Sequence, residues 1–246
     1  MGPRPDTASL SFSLVVPAYN EERLLPRLLD SIEEARRRVA FSIEVVVADN
    51  ASTDRTPEVA RDRAARVVRV EKRSIGAARN GGAHASTGSW LGFVDADSRV
   101  HPDTFRALEA AIAGGGVVGG ATGLTPERWS WGIAAAWGAC LPVARLLGLD
   151  SGVVFCRRQD FEALGGFDEE KLVAEDVDFW LALRKLGARR GERFVRLRGV
   201  PALFSTRKFD EHGDWFFLPT AARIAWLRAT GSSRAESLIR RYWYTR

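Results

Sequence analysis

Cysteine is nearly absent from these 246 residues: Cys140 and Cys156 are the only two, and neither lies in a C-x-x-C or Cys/His spacing. That argues against a zinc module or a disulfide framework and suits a reduced, cytoplasmic setting. Long apolar runs are missing too. The most apolar stretch, Trp129 to Leu149, is broken by Pro142 and Arg145, so it makes a poor membrane span and reads as a buried or interfacial segment. The first dozen residues are polar and contain Pro3 and Pro5, which is not the pattern of a secretory signal; residues 1–10 read as a loose tail. Lysine is scarce, four residues against thirty-two arginines, so the formal charge of +5 and the pI of about 9.7 come from guanidinium groups. Such a balance suits an anionic ligand: a diphosphate, a nucleic acid or lipid headgroups. Arg36 to Arg38 have a simpler reading as a solvated helix face. With 46% hydrophobic and 27% charged residues of mixed sign, the chain lacks the composition of disorder and can bury a full core.

What is present is an alternation of apolar runs and amphipathic helices. SFSLVVP (11–17) is a strand, and the following segment repeats Leu24, Leu25, Leu28, Leu29 and Ile32 at helical spacing, with Asn20 as the expected N-cap. SIEVVVA (42–48) is the second strand, residues 57–65 a helix, 67–70 a strand, and WLGFV (90–94) the next buried strand. This order predicts an α/β fold with a doubly wound, mostly parallel sheet and helices on both faces. Its polar residues gather at strand C-termini, where open sheets of this kind bind ligands. Beyond Val100 the pattern loosens: helices are expected at 102–113, 129–147, 158–164 and 173–186, with strands at 117–122 and 151–156.

Asp95-Ala96-Asp97 follows the buried strand WLGFV directly. Two carboxylates two residues apart at the mouth of a parallel sheet offer hard oxygen ligands to Mg²⁺ or Mn²⁺, with coordination positions left for phosphate oxygens. Such a cation would neutralise charge on a departing diphosphate. A solvated turn or helix cap is the alternative for this motif alone, so its surroundings must decide.

Four segments supply those surroundings: VVPAYNEE, ADNASTDRT, GAARNGGAHASTGSWLGFVDADS and GGFDEEKLVAEDVDFWLALRKLG, which together span about residues 12–190. In order and spacing they resemble glycosyltransferase family 2. The resemblance implies a GT-A, Rossmann-like fold in one domain, with a nucleotide-binding half over about residues 11–100 and an acceptor-binding half over about 101–246. It implies that Pro17, Tyr19 and Glu21 meet the nucleotide base, Tyr19 by stacking. Asp49 would accept a hydrogen bond from the base, while Asp54 caps the following helix. Arg79 would lie near the donor phosphates or the metal carboxylates. Asp95 would meet the ribose or a metal-bound water, and Asp97 would ligate the metal. Glu175 and Asp176 match the family's acidic pair, with Asp176 as general base toward an acceptor hydroxyl and Glu175 supporting it. The pair also suits a plain helix N-terminus, where the macrodipole favours acids. A looser match makes His212 a metal ligand and Arg207 or Lys208 phosphate contacts. His84 reads as packing or surface, and Phe167 and Trp180 as core or pocket wall.

The activity implied is metal-assisted, inverting transfer from a nucleoside-diphosphate sugar to a hydroxyl acceptor that is a glycan, a lipid-linked group or a small molecule. Nucleic acid is not an expected partner. Retention stays open, as does a non-catalytic sugar-nucleotide or glycan binding module on the same fold. A sugar nucleotidyltransferase would need a glycine-rich basic loop after the first strand, where PAYNEE is acidic. Two aromatic stretches, WSWGIAAAWGACLPVARLLGL and WFFLPTAARIAWLRA, hold five of the eight tryptophans. Tryptophan beside arginine suits the inner face of a membrane and a lipid-linked acceptor. Core helices or a dimer contact account for the same composition.

Overall fold

The structure, a computed structural model, describes residues 10–147, 152–171, 174–230 and 238. The tail expected at 1–9, the expected strand start at Ser151, the helix start at Val173 and most of the chain past 230 lie outside the described residues.

One eight-stranded sheet runs in the order β3-β2-β1-β4-β7-β6-β8-β5. Its first four strands are β3 (Arg66–Arg69), β2 (Ser42–Asp49), β1 (Ser11–Ala18) and β4 (Trp90–Phe93), all parallel, with Val15 beside both Val46 and Phe93. Every β1 residue after Ser11 is buried, which is why this strand reads as a continuous apolar run. Its alternate side chains serve different cores. Phe12, Leu14, Val16 and Ala18 join one cluster with Leu25, Leu28 and Ile32 of α1 (Leu25–Arg36) and Phe105 and Leu108 of α4 (Thr104–Ala113). Val15 joins the other with Ala83 of α3 (Ile75–Ala85), Phe161 of α6 (Arg158–Leu164) and Phe179 and Leu183 of α7 (Glu175–Arg189). Helices therefore cover both faces, as the alternating pattern predicts. Past β4 the pairings turn antiparallel: β7 (Val154–Arg157) against β4 and β6 (Val117–Pro126), and β5 (Ser98–Arg99) against β8 (Arg193–Phe204).

One expectation fails at α1. Asn20 is not the N-cap: its backbone is left-handed (φ 52°), and its side-chain oxygen accepts from Thr53 N–H at 2.8 Å. The helix starts five residues later, at Leu25, after a turn in which Leu24 and Leu25 N–H bond Glu21 O. Pro26 supplies the fixed φ that suits a first helical turn. Asn20 thus joins two loops instead of starting a helix. Helix α3 approaches β1 closely at Gly82, where a Cβ would strike Val15.

The chain divides into two compact units, Met1–Thr125 with Asp150–Phe204, and Pro126–Leu149 with Ser205–Arg246. The first holds the sheet. The second contains α5 (Trp131–Leu147), α8 (Arg207–His212) and α9 (Phe217–Ala229). Arg128 ties its two chain segments together, bonding Asp210 Oδ1 at 2.5 Å and Asp214 Oδ1 at 2.7 Å. A Cβ on Gly132 would clash with the Asp214 backbone, so glycine permits that close approach. Phe216 packs edge-on against Phe209 and Phe217.

Candidate active site

The loops that leave β1, β2 and β3 are knitted at the C-terminal edge of the parallel ladder. Asn50 N–H donates to Ala18 O at 2.8 Å, and its side-chain amide donates to Val70 O and to Lys72 O. Asn20 N–H donates to Ser52 Oγ, and Glu21 N–H to Thr56 Oγ1 at 2.7 Å. Asp54 is not the N-cap of α2 (Thr56–Asp62), a position held by Arg55; its Oδ1 accepts from Thr56 N–H at 3.0 Å and from Thr56 Oγ1 at 2.5 Å just before the helix.

The residues assigned to the base sit in and around this knot. Pro17 is a buried β1 residue opposite Ala48, and Glu21 is buried, its carbonyl holding the turn before α1. Asp49 ends β2 and is 1% exposed; one carboxylate oxygen accepts from Ser52 N–H at 3.1 Å and the other lies 3.9 Å from Arg69. Tyr19 follows β1, and one face of its ring is covered by the Arg73 guanidinium, 3.6 Å from the centroid.

Arg79 links this edge to the acidic pair. It lies on α3 and is buried; one terminal nitrogen donates to Glu175 Oε1 at 2.6 Å and the other to Asp95 Oδ1 at 3.2 Å. The guanidinium also lies 5.3 Å from the centroid of the Phe167 ring. Burial alone would lower its pKa, but the charges of Asp95, Asp176 and Glu175 outweigh that and raise it, so Arg79 is a permanent cation. Glu175 is buried beside it. Burial pushes its carboxyl above the ordinary range, and the neighbouring Asp176 adds to the rise against the pull of Arg79. One guanidinium faces three carboxylates, so the cluster keeps a negative excess. Glu175 and Asp176 open α7 directly after Ala174, whose backbone is left-handed (φ 64°) at a cost of roughly 1–2 kcal/mol.

Asp95 and Asp97 occupy the turn after β4, closed by Ser98 N–H on Asp95 O at 3.1 Å. Ala96 between them is buried while Asp95 is exposed and Asp97 half-buried, so the alternation turns both aspartates away from the core. Among the described residues no group of three or more His, Cys, Asp or Glu forms a ready-made metal cage. Asp97 and Asp95, the latter itself part of the cluster of negative excess, nonetheless fit Mg²⁺ or Mn²⁺, which commonly take one or two protein carboxylates and complete their shell with phosphate oxygens and water. Arg207, Lys208 and His212 all lie on α8 of the second unit, and the His212 ring packs 5.3 Å from that of Phe216.

The sequence pattern did not single out Arg73, Asn80 or Glu169. Asn80, one residue past Arg79, donates to Phe167 O and to Glu169 Oε1, both at 2.9 Å, and accepts from Phe167 N–H at 2.8 Å. Ser74 Oγ donates to Glu169 O, and Lys72 pairs with Glu169 and Glu170. The turn before the acidic pair is thereby fastened to α3, with Gly165 and Gly166 taking its two left-handed positions. The signal for Asn80 was its adjacency to Arg79; exposed Arg73 sits in a charged loop with no pattern to mark it.

With this geometry in place, comparison with known proteins is informative. The model of the family described as "Glycosyl transferase family 2" matches residues 13–137, just over half of the chain, and takes in Asp49, Arg79, Asp95 and Asp97. A curated relative, the succinoglycan biosynthesis protein ExoO of Rhizobium meliloti, is 36% identical over 108 residues, 42% of this chain and 30% of that protein. The chain thus spans under a third of this relative's length. Among solved structures, S. aureus TarS 1-349 in complex with UDP aligns with a TM-score of 0.60 at 22% identity, over 80% of this chain and 61% of that one. Glucosyl-3-phosphoglycerate synthase from Mycobacterium tuberculosis, in complex with Mn²⁺, UDP and glucosyl-3-phosphoglycerate, aligns with a TM-score of 0.59 at 21% identity, over 92% of this chain and 82% of that one. Both show the same GT-A fold.

Proposed function

The chain belongs to glycosyltransferase family 2, and from that premise we propose that it transfers a sugar from a nucleoside-diphosphate donor to a hydroxyl acceptor, with inversion at the anomeric carbon. The observation that carries this reading is Arg79, whose buried guanidinium bonds both Asp95 of the D-x-D turn and Glu175 of the acidic pair. Two sequence-distant acidic groups are thereby held at one place. The bound UDP in both solved structures supports a uridine donor, and Mn²⁺ in one supports a divalent ion.

Asp97 and Asp95 would hold that ion, whose chemistry would be to offset charge on the leaving diphosphate. Tyr19 and Asp49 would receive the base. Asp176 takes the proton from the acceptor hydroxyl as its oxygen attacks the anomeric carbon and the bond to the diphosphate oxygen breaks. Glu175 and Arg79 set the position of Asp176 and of the D-x-D turn. Arg207, Lys208 and His212 enter the proposal on the family resemblance alone, as phosphate and metal contacts. Turnover of UDP- and GDP-sugars with and without Mn²⁺, with the product anomer read by NMR, tests the reading. Release of UDP that stops with a chelator and in Asp176→Asn, with an inverted product, is the expected result. No turnover of any donor would remove the enzymatic reading, and a retained anomer would remove the role given to Asp176.

A further inference from the structure

Helix α7 carries Glu175 and Asp176, yet its first turn has no cap of its own: Ala174 at the cap position offers no side-chain bond. The preceding turn is held from outside, by Asn80 of α3. Asn80 Oδ1 accepts from Phe167 N–H at 2.8 Å, and Nδ2 donates to Phe167 O and to Glu169 Oε1, both at 2.9 Å. A side-chain amide that bonds both backbone groups of one residue fixes it much as a neighbouring strand would. Asn80 and Phe167 are both buried, so losing these bonds would leave the Phe167 N–H and C=O without water to replace them. The approach needs glycine at position 166, where a Cβ would lie 2.6 Å from Asn80 Oδ1.

Phe167 passes the constraint to α7. Its ring lies 4.7 Å from that of Phe179 and 5.7 Å from that of Trp180, centroid to centroid, and both partners are buried residues of that helix. They follow Asp176 by three and four positions, one helical turn, so packing on them fixes the stretch of helix that presents Asp176. Glu169 is a second anchor. Its Oε2 lies 3.1 Å from Lys72 Nζ, and its carbonyl accepts from Ser74 Oγ at 2.8 Å. The bond from Asn80, working against burial, and the bond from Lys72 hold the Glu169 carboxyl below the ordinary range, so it is charged near neutrality. The two backbones also touch: a Cβ on Gly76 of α3 would lie 2.8 Å from Asp168 O. Adjacent residues of one helix therefore reach the acidic pair by different routes, Arg79 through a charge and Asn80 through a turn.

We propose that Asn80 is a positioning residue for the transfer step: through Phe167 it holds the first turn of α7 where Asp176 takes the acceptor proton. The inference rests on the glycosyltransferase reading and extends it to a side chain that bonds none of the residues assigned to the nucleotide or the metal. Three measurements on the full chain test it: UDP released from UDP-sugars, calorimetry of UDP with Mn²⁺, and amide hydrogen exchange. Asn80→Ala should lower kcat roughly tenfold or more while UDP–Mn²⁺ affinity stays within about twofold. The first turn of α7 should exchange roughly tenfold faster in that variant, with the loops after β1 and β2 unchanged. In an Asp176→Asn background the same substitution should cost no further kcat, because the group it positions is already gone. Glu169→Ala removes one of the three bonds at a half-buried site and should repeat the pattern at roughly threefold, which keeps the proposal testable where Asn80→Ala does not fold. Losses that multiply between Asn80→Ala and Asp176→Asn, UDP–Mn²⁺ affinity that falls in step with kcat, or unchanged exchange in α7 would overturn it. A wild-type chain that turns over no donor would remove the glycosyltransferase reading itself, and this proposal with it.

Discussion

Replacing Arg79 with methionine keeps much of the side chain's bulk and removes its charge, leaving Glu175 buried without the partner that bonds it at 2.6 Å. Removing one member of a buried ion pair costs about 3–5 kcal/mol, because the remaining charge stays desolvated. The second arm, to Asp95, adds little: that side chain is 53% exposed, and solvent screening holds its share to about 0.5 kcal/mol. The lower end of the range is the reasonable expectation, since Glu175 can escape part of the cost by taking up a proton. About 3 kcal/mol corresponds to roughly 6–12 °C in Tm for a chain of this size. The sign with pH follows. The folded-state pKa of Glu175 is already raised above 4.5 and would rise further without Arg79. A carboxyl whose pKa is raised on folding costs stability as pH climbs from the unfolded value through the folded one, so Arg79→Met should be worst near neutrality and should recover toward pH 4.5. Thermal melts of Arg79→Met, Glu175→Gln and the double variant across that range make the assay. In the double variant the orphaned charge is gone, so its loss should be smaller than the sum of the single losses by about 1 kcal/mol or more. Additive losses, or an Arg79→Met effect below about 1 kcal/mol independent of pH, would refute a buried pair as the centre of this cluster.

Asp176→Asn should lower kcat roughly a hundred- to ten-thousand-fold while the donor KM moves little, as steady-state kinetics would measure; an equal fall in donor affinity would make Asp176 a binding group. Arg73 covers one face of Tyr19, the ring proposed to receive the base, so if the base stacks on that face Arg73→Ala should remove a competing contact of about 0.5–1 kcal/mol and tighten UDP binding roughly two- to fivefold by calorimetry. Weaker binding would instead assign Arg73 itself to the nucleotide. Burial would raise the Glu44 pKa, but hydrogen bonds from Ser13, from Thr87 N–H and Oγ1 and from Arg66 hold it below 4.5. Its stabilisation is therefore present above pH 4.5 and lost as pH falls through the lowered value. Glu44→Gln should flatten that acid limb in melts, and an unchanged limb would contradict the assignment.

Much of this molecule was legible in its sequence. The strands beside Val15, the α1 face of Leu25, Leu28 and Ile32, and the gathering of polar residues after β2 and β4 all follow from local periodicity and from where polar residues interrupt it, whereas the roles given to Asp49, Asp95 and Asp97 came from the family resemblance. Long-range pairings were not legible. Nothing in VVFCR marks it as antiparallel to β4, and Asn20 reads as a helix cap until the loop containing Thr53 is brought beside it. Asn80 looks like an ordinary helical residue until the 165–167 turn arrives 87 positions later to bond it. The tie from Arg79 to Glu175 spans 96 positions, and its strength depends on burial that no spacing encodes. Exposure of Trp129, Trp131, Trp215 and Trp226 was hidden for the same reason, because composition alone suits a core and a lipid surface equally.

The central claim is that Asp95 and Asp97 join this chain to a diphosphate through a divalent ion. Titration calorimetry of UDP with the wild-type chain and with Asp97→Asn, each with and without Mn²⁺, tests it most directly. The account predicts binding that requires Mn²⁺ and disappears in the variant while its melting temperature holds. Binding of equal strength without metal, or undiminished in Asp97→Asn, would contradict it.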